Sequence, residues 1–259
     1  MSIGPDLVAI EGVSKAFGTR QSGMIALSDV TVRVRKGEFV SLVGPSGCGK
    51  STLLKIIAGL MQASRGEVFL DGRRIAGPRR DIGLMFQTAT LFPWRTVKRN
   101  ITLPFDIAKD KDTDRDAKVA EVLELVGLTG FENHYPRELS GGMQQRVALC
   151  RLLVSDPNLM LLDEPFGALD EFTREYLNVE LARIIELEEK TTIFVTHNIS
   201  EAVFLSDRVV VMGTRPGRVL DIVDINLPRP RHPDLLGSHE YADHVYVVRK
   251  TLGLLKGDS

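Results

Sequence analysis

The sequence has few cysteines and no excess of charge of either sign. Its 259 residues include two cysteines, Cys48 and Cys150, which are too few for a disulfide framework and favour a reducing compartment. The 33 basic and 34 acidic side chains give a net charge of −1, so we expect no nucleic-acid-binding surface along the whole chain. No apolar run approaches the roughly 18 residues of a transmembrane helix, and residues 1–6 show no signal-peptide pattern. These absences predict a soluble, cytosolic protein.

Several stretches of the chain are typical of buried strands in an α/β protein. Residues 39–43, 159–162 and 193–195 are almost continuously apolar, as expected of central strands that are covered on both faces. Helical periodicity lies between the last two stretches, for example at Leu177 and Leu181. This alternation of strands and helices predicts a parallel α/β sheet.

A different pattern near the N-terminus predicts further strands. Val30, Val32 and Val34 alternate with polar residues, which is the period of a half-buried strand. A similar segment ends at Asp71-Gly72, a pair typical of a tight turn between strands. We therefore expect the first third of the chain to be rich in strands.

The chain divides into three predicted parts. Residues 88–155 have mainly helical periodicity and interrupt a core formed by residues 1–87 and 156–225. Residues 226–259 hold a proline-rich connector followed by an amphipathic helix. The apolar positions of that helix are Tyr241, Val245, Val248, Leu252 and Leu255. They favour packing against the helix's own domain, with binding to a partner as the alternative.

The segment after the first apolar run matches the phosphate-loop pattern G-x-x-x-x-G-K-[ST] without a mismatch. Its residues are Gly44, Pro45, Ser46, Gly47, Cys48, Gly49, Lys50 and Ser51, and Thr52 follows. Glycines let backbone N–H groups point into one concavity, and the following helix adds its positive N-terminus. We expect Lys50 to neutralise the β- and γ-phosphates, Ser51 to ligate Mg²⁺ and Thr52 to contact another phosphate oxygen. The pattern predicts a nucleoside triphosphate site.

Two carboxylates follow another buried strand. The apolar residues 159–162 place Asp163 and Glu164 at the carboxyl end of the sheet, where α/β proteins bind ligands. Asp163 is expected to hold Mg²⁺ through water, and Glu164 is the candidate general base for an attacking water. Adjacent carboxylates are often only solvated surface groups. Their position in a chain with a phosphate loop favours catalysis instead.

A glycine pair before a predicted helix distinguishes between phosphate-loop families. Ser140-Gly141-Gly142 could be a helix N-cap with flexible glycines, or its amides and hydroxyl could bind an anion. Because the phosphate loop and the two carboxylates occur in the same chain, this segment resembles the signature sequence of ATP-binding-cassette (ABC) proteins. The resemblance covers residues 7–225.

Four other residues match positions of the ABC family. Gln87 resembles the Q-loop glutamine, and Asp170, in Ala168-Leu169-Asp170, resembles the D-loop aspartate. His197 resembles the switch histidine, and Phe17 lies where the family stacks an aromatic ring on adenine. A single histidine or phenylalanine would more often be structural, but the order and spacing of the whole set favour these roles.

The ABC resemblance implies a fold, an activity and ligands. The fold is a P-loop NTPase (RecA-like) α/β core with an N-terminal antiparallel β-subdomain and a helical insertion that carries the signature motif. The activity is hydrolysis of ATP with Mg²⁺, in which Ser51, Gln87 and Asp163 would hold the metal. The implied catalytic residues are Lys50, Gln87, Glu164 and His197. The implied nucleotide contacts include Phe17, residues 44–52, Gln87, Ser140, Gly141, Gly142, Asp163, Asp170 and His197.

The family's mode of action implies two classes of protein partner. Ser140 and Gly142 of a second copy would close over the nucleotide, giving a homodimer with two sandwiched ATP molecules. Residues 91–94, 164–170, 215–218 and 227–231 resemble the ATPase subunits of nitrate/sulfonate/taurine-type importers. That resemblance implies a peripheral protein at the cytoplasmic face of the membrane.

The importer resemblance also implies where the membrane subunits bind. Phe92, Pro93 and Trp94 would contact the integral-membrane permease, and a periplasmic or extracellular solute-binding protein would act indirectly. The alternative is that Phe92 and Trp94 are core residues of the helical insertion.

Two other functions compete with transport. A soluble ABC-type ATPase acting on nucleic acid or ribosomes is disfavoured because the chain has no long coiled-coil insertion, no second cassette and no basic excess. A phosphate-loop kinase is disfavoured because a signature motif is not expected in that class of enzyme. We therefore expect no nucleic-acid partner.

Overall fold

The computed structural model describes residues 5–18, 23–108, 114–167 and 169–254. Two residues of the patterns above, Ala168 and Leu255, lie outside these segments. Within them, no helix combines the length and the apolar character that crossing a membrane requires.

The described residues form strands and helices that alternate along most of the chain. The strands are β1 (Asp6–Phe17), β2 (Met24–Arg35), β3 (Phe39–Val43), β4 (Arg65–Leu70), β5 (Arg73–Arg74), β6 (Ile82–Met85), β7 (Leu159–Asp163), β8 (Thr191–Thr196), β9 (Arg208–Gly213) and β10 (Arg218–Asp224). The helices are α1 (Lys50–Ile57), α2 (Val97–Ile101), α3 (Leu103–Ala108), α4 (Arg115–Leu125), α5 (Gly141–Leu153), α6 (Glu171–Glu188), α7 (Ile199–Leu205) and α8 (His239–Thr251). Short 3₁₀ helices span Pro136–Glu138 and Pro233–Gly237.

The strands build two sheets. One is antiparallel, with strand order β2-β1-β4-β5, and the other has six strands in the order β10-β9-β3-β8-β7-β6. In the larger sheet all neighbours are parallel except β10, which runs antiparallel to β9. The predicted fold, a parallel α/β core with an antiparallel N-terminal sheet, is confirmed.

The parallel sheet separates two apolar cores, which explains its continuous apolar runs. In β3, Phe39 and Val43 face a core shared with the helices, whereas Val40 and Leu42 face a core shared with α1 and the antiparallel sheet. Because successive side chains of a strand point to opposite faces, both sets are buried only if both faces are covered. This sandwich fixes the strand ends on which the site is built.

The described part of the segment between β6 and β7 holds four α-helices, α2 to α5, and one short 3₁₀ helix. The long helix α5 packs against α2 and α4, and its apolar side chains join the core on the helical face of the sheet. Asn100 of α2 is fully buried and holds the preceding loop: its side-chain amide donates to the carbonyls of Phe92, Arg95 and Thr96 at 3.0–3.1 Å. The loop before α2 therefore has a defined shape.

The C-terminal segment packs on its own domain. Arg229 forms ion pairs with Glu186 at 2.8 Å and Asp207 at 2.9 Å, and the buried Arg231 donates to the carbonyl of Ser206 at 2.8 Å. Burial lowers the pKa of Arg231 to about 10. Helix α8 packs on α7. The structure therefore favours packing of this helix on its own domain over a free, partner-binding helix.

Candidate nucleotide-binding and catalytic site

The phosphate-loop segment connects the carboxyl end of β3 to the first turn of α1. Gly49 precedes the helix with φ +93°, a left-handed conformation that favours glycine. A Cβ on Gly44 would lie 2.5 Å from the carbonyl oxygen of Met212, so a larger residue would push the loop off the sheet. The glycine spacing read from the sequence therefore has a steric cause.

Lys50 lies over this loop. Its ammonium group donates to the carbonyl of Gly44 at 2.7 Å and to that of Pro45 at 3.3 Å, and the side chain is almost fully buried. The ammonium group also lies 3.8 Å from Sγ of Cys48. An anion entering the loop would gain strongly from this buried positive charge. Cys48 is fully buried, and Gly44, Pro45 and Cys48 are not among the residues that line the cleft in front of the loop.

Asp163 and Ser51 meet although they are distant in sequence. The Ser51 hydroxyl donates to Oδ1 of Asp163 at 2.9 Å. Burial at the end of β7 raises the pKa of Asp163, and the Ser51 hydrogen bond opposes that rise. A cation beside the carboxylate would favour its ionised form further.

Glu164 turns sharply at the end of the buried strand. Its φ is +45°, and its N–H donates to the carbonyl of Val195 at 2.9 Å. In this position its Oε2 lies 3.2 Å from Nδ1 of His197 and 3.4 Å from Nε2 of Gln87. The fold thus brings together three candidate catalytic residues from the ends of three neighbouring strands, β6, β7 and β8.

An open cleft of about 820 Å³ lies in front of these groups. The sequence-predicted residues that line it are Phe17, Ser46, Gly47, Gly49, Lys50, Ser51, Thr52, Gln87 and Glu164. Asp163 and His197 adjoin the cleft through Ser51 and Glu164. Phe17 is partly exposed at 39%, and the ammonium group of Lys15 lies 5.3 Å from its ring centroid. Phe17, the aromatic residue expected to stack on a nucleotide's adenine, is therefore distant in sequence from the phosphate loop.

Sequence reasoning missed two segments of the cleft wall. Residues 24–26 of β2 and 215–217, after β9, also line it. Gly217 donates to the carbonyl of Ala26 at 3.1 Å, and a Cβ there would lie 2.1 Å from the carbonyl oxygen of Cys48. The sequence indicates the segment 215–218 only through its resemblance to the importer subunits, and Gly217 is the one signal that a close backbone approach is needed.

Signature residues and the D-loop aspartate lie away from this cleft. Ser140 caps α5, accepting from the N–H of Met143 at 3.2 Å, and Asp170 caps α6, accepting from the N–H of Thr173 at 3.0 Å. The hydrogen bond from the Thr173 N–H lowers the pKa of Asp170. A Cβ on Gly142 would lie 3.1 Å from the Thr173 side chain, so the two helix starts are neighbours. Ser140, Gly141, Gly142 and Asp170 form a second surface of the same chain.

Helix α5 also holds the backbone of the Gln87 segment. Gln145 donates to the carbonyl of Gln87 at 2.8 Å, and the guanidinium of Arg151 donates to the carbonyls of Ala89 and Thr90, each at 3.0 Å. Burial lowers the pKa of Arg151. No sequence signal indicated these contacts, because their acceptors are backbone carbonyls that carry no residue identity.

The oxygen donors in the cleft fit Mg²⁺. Ser51 and Asp163 present a hydroxyl and a carboxylate oxygen 2.9 Å apart, and the side-chain amide of Gln87 lies 3.4 Å from Oε2 of the adjacent Glu164. Mg²⁺ is usually held by one or two carboxylates together with water and substrate phosphates rather than by a full protein cage. A small set of hard oxygen donors beside a phosphate loop meets that requirement.

Comparison with known proteins gives concordant matches. The profile described as "ABC transporter" matches residues 27–167. An aliphatic sulfonates import ATP-binding protein of Bacillus cereus is 50% identical over 224 residues, which cover 86% of this chain and 88% of that protein. An uncharacterized ABC transporter ATP-binding protein of Methanocaldococcus jannaschii is 46% identical, with 96% and 91% covered.

A third relative and a solved structure extend these matches. A nitrate import ATP-binding protein of Synechococcus elongatus is 46% identical, over 91% of this chain and 37% of that protein. A dimeric ATP-binding cassette in a post-hydrolysis state, bound to ADP and Pi, superposes with a TM-score of 0.75 at 34% identity, covering 85% of this chain and all of that one. This chain belongs to the ATP-binding subunits of ABC transporters, and it is an ATPase.

Proposed function

We propose that the chain hydrolyses ATP to energise import of a small anion or organic solute through a membrane permease. The observation that carries the proposal is the convergence of Gln87, Glu164 and His197 beside the phosphate loop, with contacts of 3.2 and 3.4 Å. In this arrangement a carboxylate, an amide and an imidazole face the position that a γ-phosphate would occupy beyond Lys50. The sites and partners below are parts of the same proposal.

Binding of the nucleotide would use both ends of the cleft. Phe17 would stack on the base, while the amides of residues 46–52 and the ammonium of Lys50 would bind the phosphates. Bound Mg²⁺ would neutralise charge on the β- and γ-phosphates, held by Ser51, Asp163 and Gln87. Asp170 would contact the nucleotide at the edge of the cleft of a second copy.

Hydrolysis would depend on Glu164. Its carboxylate would accept the proton of an attacking water, and Gln87 would orient that water. His197, 3.2 Å from the carboxylate, would hold Glu164 in place and contact the γ-phosphate. This division of roles matches the geometry, since one glutamate oxygen contacts both neighbours.

A second copy of the chain would complete the site. Ser140, Gly141 and Gly142 lie on a different surface from the cleft, beside the start of α6. In a head-to-tail pair with two-fold symmetry, this surface of one copy would cover the cleft of the other. The γ-phosphate would then bridge both copies, so hydrolysis would release the contact.

The loop at residues 92–94 would bind the permease. Trp94 is 70% exposed, and its ring lies tilted against that of Phe92 with centroids 5.2 Å apart, so Trp94 is not part of the core of the helical segment. Asn100 holds this loop in shape. An apolar groove of about 460 Å³ lies nearby, between β6, α3 and α5, and its wall includes Ala89. Gln87 lines the catalytic cleft, whereas Phe86 and Ala89 on either side of it line the groove, which supports coupling of ATP turnover to the permease.

The relatives named above support the class of solute. Their names record aliphatic sulfonates and nitrate, which are small anions. We extend this class to the present chain, and we place it at the cytoplasmic face of the membrane, where ATP is available. A solute-binding protein outside the cell would act through the permease without touching this chain.

Capture of the ATP-locked protein tests the proposal. Tagged Glu164→Gln protein would be mixed with MgATP and detergent-solubilised membranes, and its partners identified by mass spectrometry. We expect this protein to capture a polytopic permease. The additional substitution Trp94→Ala should abolish the capture, whereas the control Tyr246→Ala, at an exposed aromatic residue of α8, should not. Recovery of ribosomal or nucleic-acid-bound partners alone, with ATPase stimulated by nucleic acid, would contradict the transport role.

A further inference from the structure

A buried carboxylate lies behind the candidate switch histidine. Glu201 is in the first turn of α7 and is 8% exposed, so it lies outside the cleft and cannot contact a nucleotide there. Burying a carboxylate is unfavourable unless hydrogen bonds or opposite charges compensate it. Its partners therefore indicate what it stabilises.

One oxygen of Glu201 holds the turn that contains His197. Oε2 accepts from the Thr196 hydroxyl at 2.5 Å, and that hydroxyl oxygen in turn accepts from the N–H of Asn198 at 3.0 Å. Thr196 and Asn198 are the residues on either side of His197. The Asn198 side chain also caps α7, accepting from the N–H groups of Ser200 at 2.9 Å and Glu201 at 3.3 Å. The backbone of the histidine is thus held from both sides.

The other oxygen of Glu201 connects this turn to α6. Its Oε1 lies 3.2 Å from Nε of Arg174, whose side chain is 21% exposed. Arg174 is in the first turn of α6, and its N–H donates to the carbonyl of Asp170 at 3.0 Å. One carboxylate therefore joins the turn beside Glu164 to the helix that begins at Asp170.

The charges in this network compensate each other. Burial raises the pKa of Glu201, while the Thr196 hydrogen bond and the positive charge of Arg174 act in the opposite direction. Among the described residues, Oε2 is hydrogen-bonded to Thr196, whereas Oε1 is held by the positive charge of Arg174 without a hydrogen bond. Moving the turn would separate the buried carboxylate from both partners, which favours one arrangement of the backbone.

We infer that Glu201 is a positioning residue, which holds His197 against Glu164 and ties the His197 turn to the helix that begins at Asp170. The inference rests on the proposed role of His197. Loss of Glu201 should lower turnover, because His197 would no longer be held against Glu164. Nucleotide affinity should stay unchanged, because Glu201 does not line the cleft. A displacement of the histidine by about 1 Å can cost up to roughly 100-fold in rate.

Steady-state ATPase measurements on the full chain test this inference. For Glu201→Gln we expect kcat to fall about tenfold, with the KM for MgATP and the affinity for MgADP within about twofold of the unmodified chain. Thr196→Val, which keeps the side-chain shape but removes the hydroxyl, should have the same effect. The matched control is Glu175→Gln, an exposed residue one position after Arg174. Unchanged kcat in both network variants would overturn the inference.

A double-mutant cycle separates positioning from general destabilisation. In a His197→Ala background, Glu201→Gln should alter kcat by less than about twofold, because the residue on which it acts is absent. We also expect Glu201→Gln to lower the melting temperature of the chain, and this fall should be the same with and without His197. A full tenfold loss of kcat there would show that Glu201 acts by another route.

The same cycle distinguishes this inference from the proposed function. If His197→Ala alone leaves turnover unchanged, the proposed role of His197 fails, and the positioning role with it. If His197→Ala lowers turnover and Glu201→Gln does not, only the positioning role is rejected.

Discussion

The phosphate loop and the signature segment are both glycine-rich turns before a helix, yet one chain uses them differently. The phosphate loop lies on the cleft, and its Lys50 and Ser51 already contact Gly44 and Asp163 at 2.7 and 2.9 Å. The signature segment lies against the start of α6, where Ser140 only caps its own helix. In the proposed dimer, one chain would therefore supply one wall of a nucleotide site with its phosphate loop and the opposite wall of the other site with its signature segment.

From this difference we expect that nucleotide binding and turnover can be separated by mutation. Nucleotide affinity should depend on the cleft of a single copy, whereas hydrolysis should require the signature surface of another copy. Variants of the two regions should therefore fall into two classes, those that weaken binding and those that slow turnover at normal affinity.

The largest expected effect is on turnover, within the cleft itself. Glu164→Gln should lower kcat by about 10²–10⁴-fold, because the amide cannot accept a proton from water. ATP should stay bound, and size-exclusion chromatography should show a persistent dimer. The exposed Glu171→Gln serves as control. Rapid hydrolysis by the Glu164 variant would exclude this residue as the base.

Loss of the loop cation should act on affinity instead. Lys50→Ala should weaken MgATP binding by about 10–100-fold, the value of a hydrogen bond to a charged group. Calorimetric titration measures the change, with Lys55→Ala, an exposed lysine of α1, as the matched control. An unchanged affinity would refute the phosphate-binding role of Lys50.

A signature variant should separate the two walls. Ser140→Ala should lower kcat about tenfold and leave MgADP affinity unaltered, since Ser140 lies off the cleft of its own chain. It should also cost about 1 kcal/mol in the free energy of unfolding, because a helix cap is lost. Thr96→Ala removes the cap of α2 and controls for stability. Weakened MgADP binding in the Ser140 variant would break the comparison of the two walls.

The smallest effect on the isolated chain is expected at the proposed permease surface. Trp94→Ala should change basal ATPase by less than about twofold and stability by about 0.5 kcal/mol or less, because the side chain is 70% exposed. Stimulation of ATPase by reconstituted permease should be lost. Normal stimulation would exclude Trp94 from the contact.

The residues predicted best from sequence were those with local constraints. The apolar run at residues 39–43 predicts a strand that is covered on both faces, and it forms a central strand of the six-stranded sheet. The glycines of the phosphate loop reflect left-handed backbone at Gly47 and Gly49 and a close approach at Gly44. In each case the constraint acts on consecutive residues, so a short window of sequence contains it.

Long-range contacts were predicted less well, and several were missed. Gln87 and His197 were recognised by family resemblance, but nothing in the sequence placed both on one oxygen of Glu164. The approach of Gly217 to Cys48 is indicated only by the glycine itself, and the contacts of Arg151 with the backbone of residues 89–90 have no signal in the sequence. These contacts join residues tens to hundreds of positions apart, and many of their partners are backbone atoms.

By itself, the sequence determined that this protein has a phosphate loop on a parallel α/β core and a signature segment at the start of a helix. Tertiary structure alone decided that the phosphate loop lies on the cleft and the signature segment does not. It also decided that Glu201 joins the His197 turn to α6. The physical reason is that patterning and glycine sterics act along the chain, whereas the meeting of strand ends and helix starts depends on how the two cores pack.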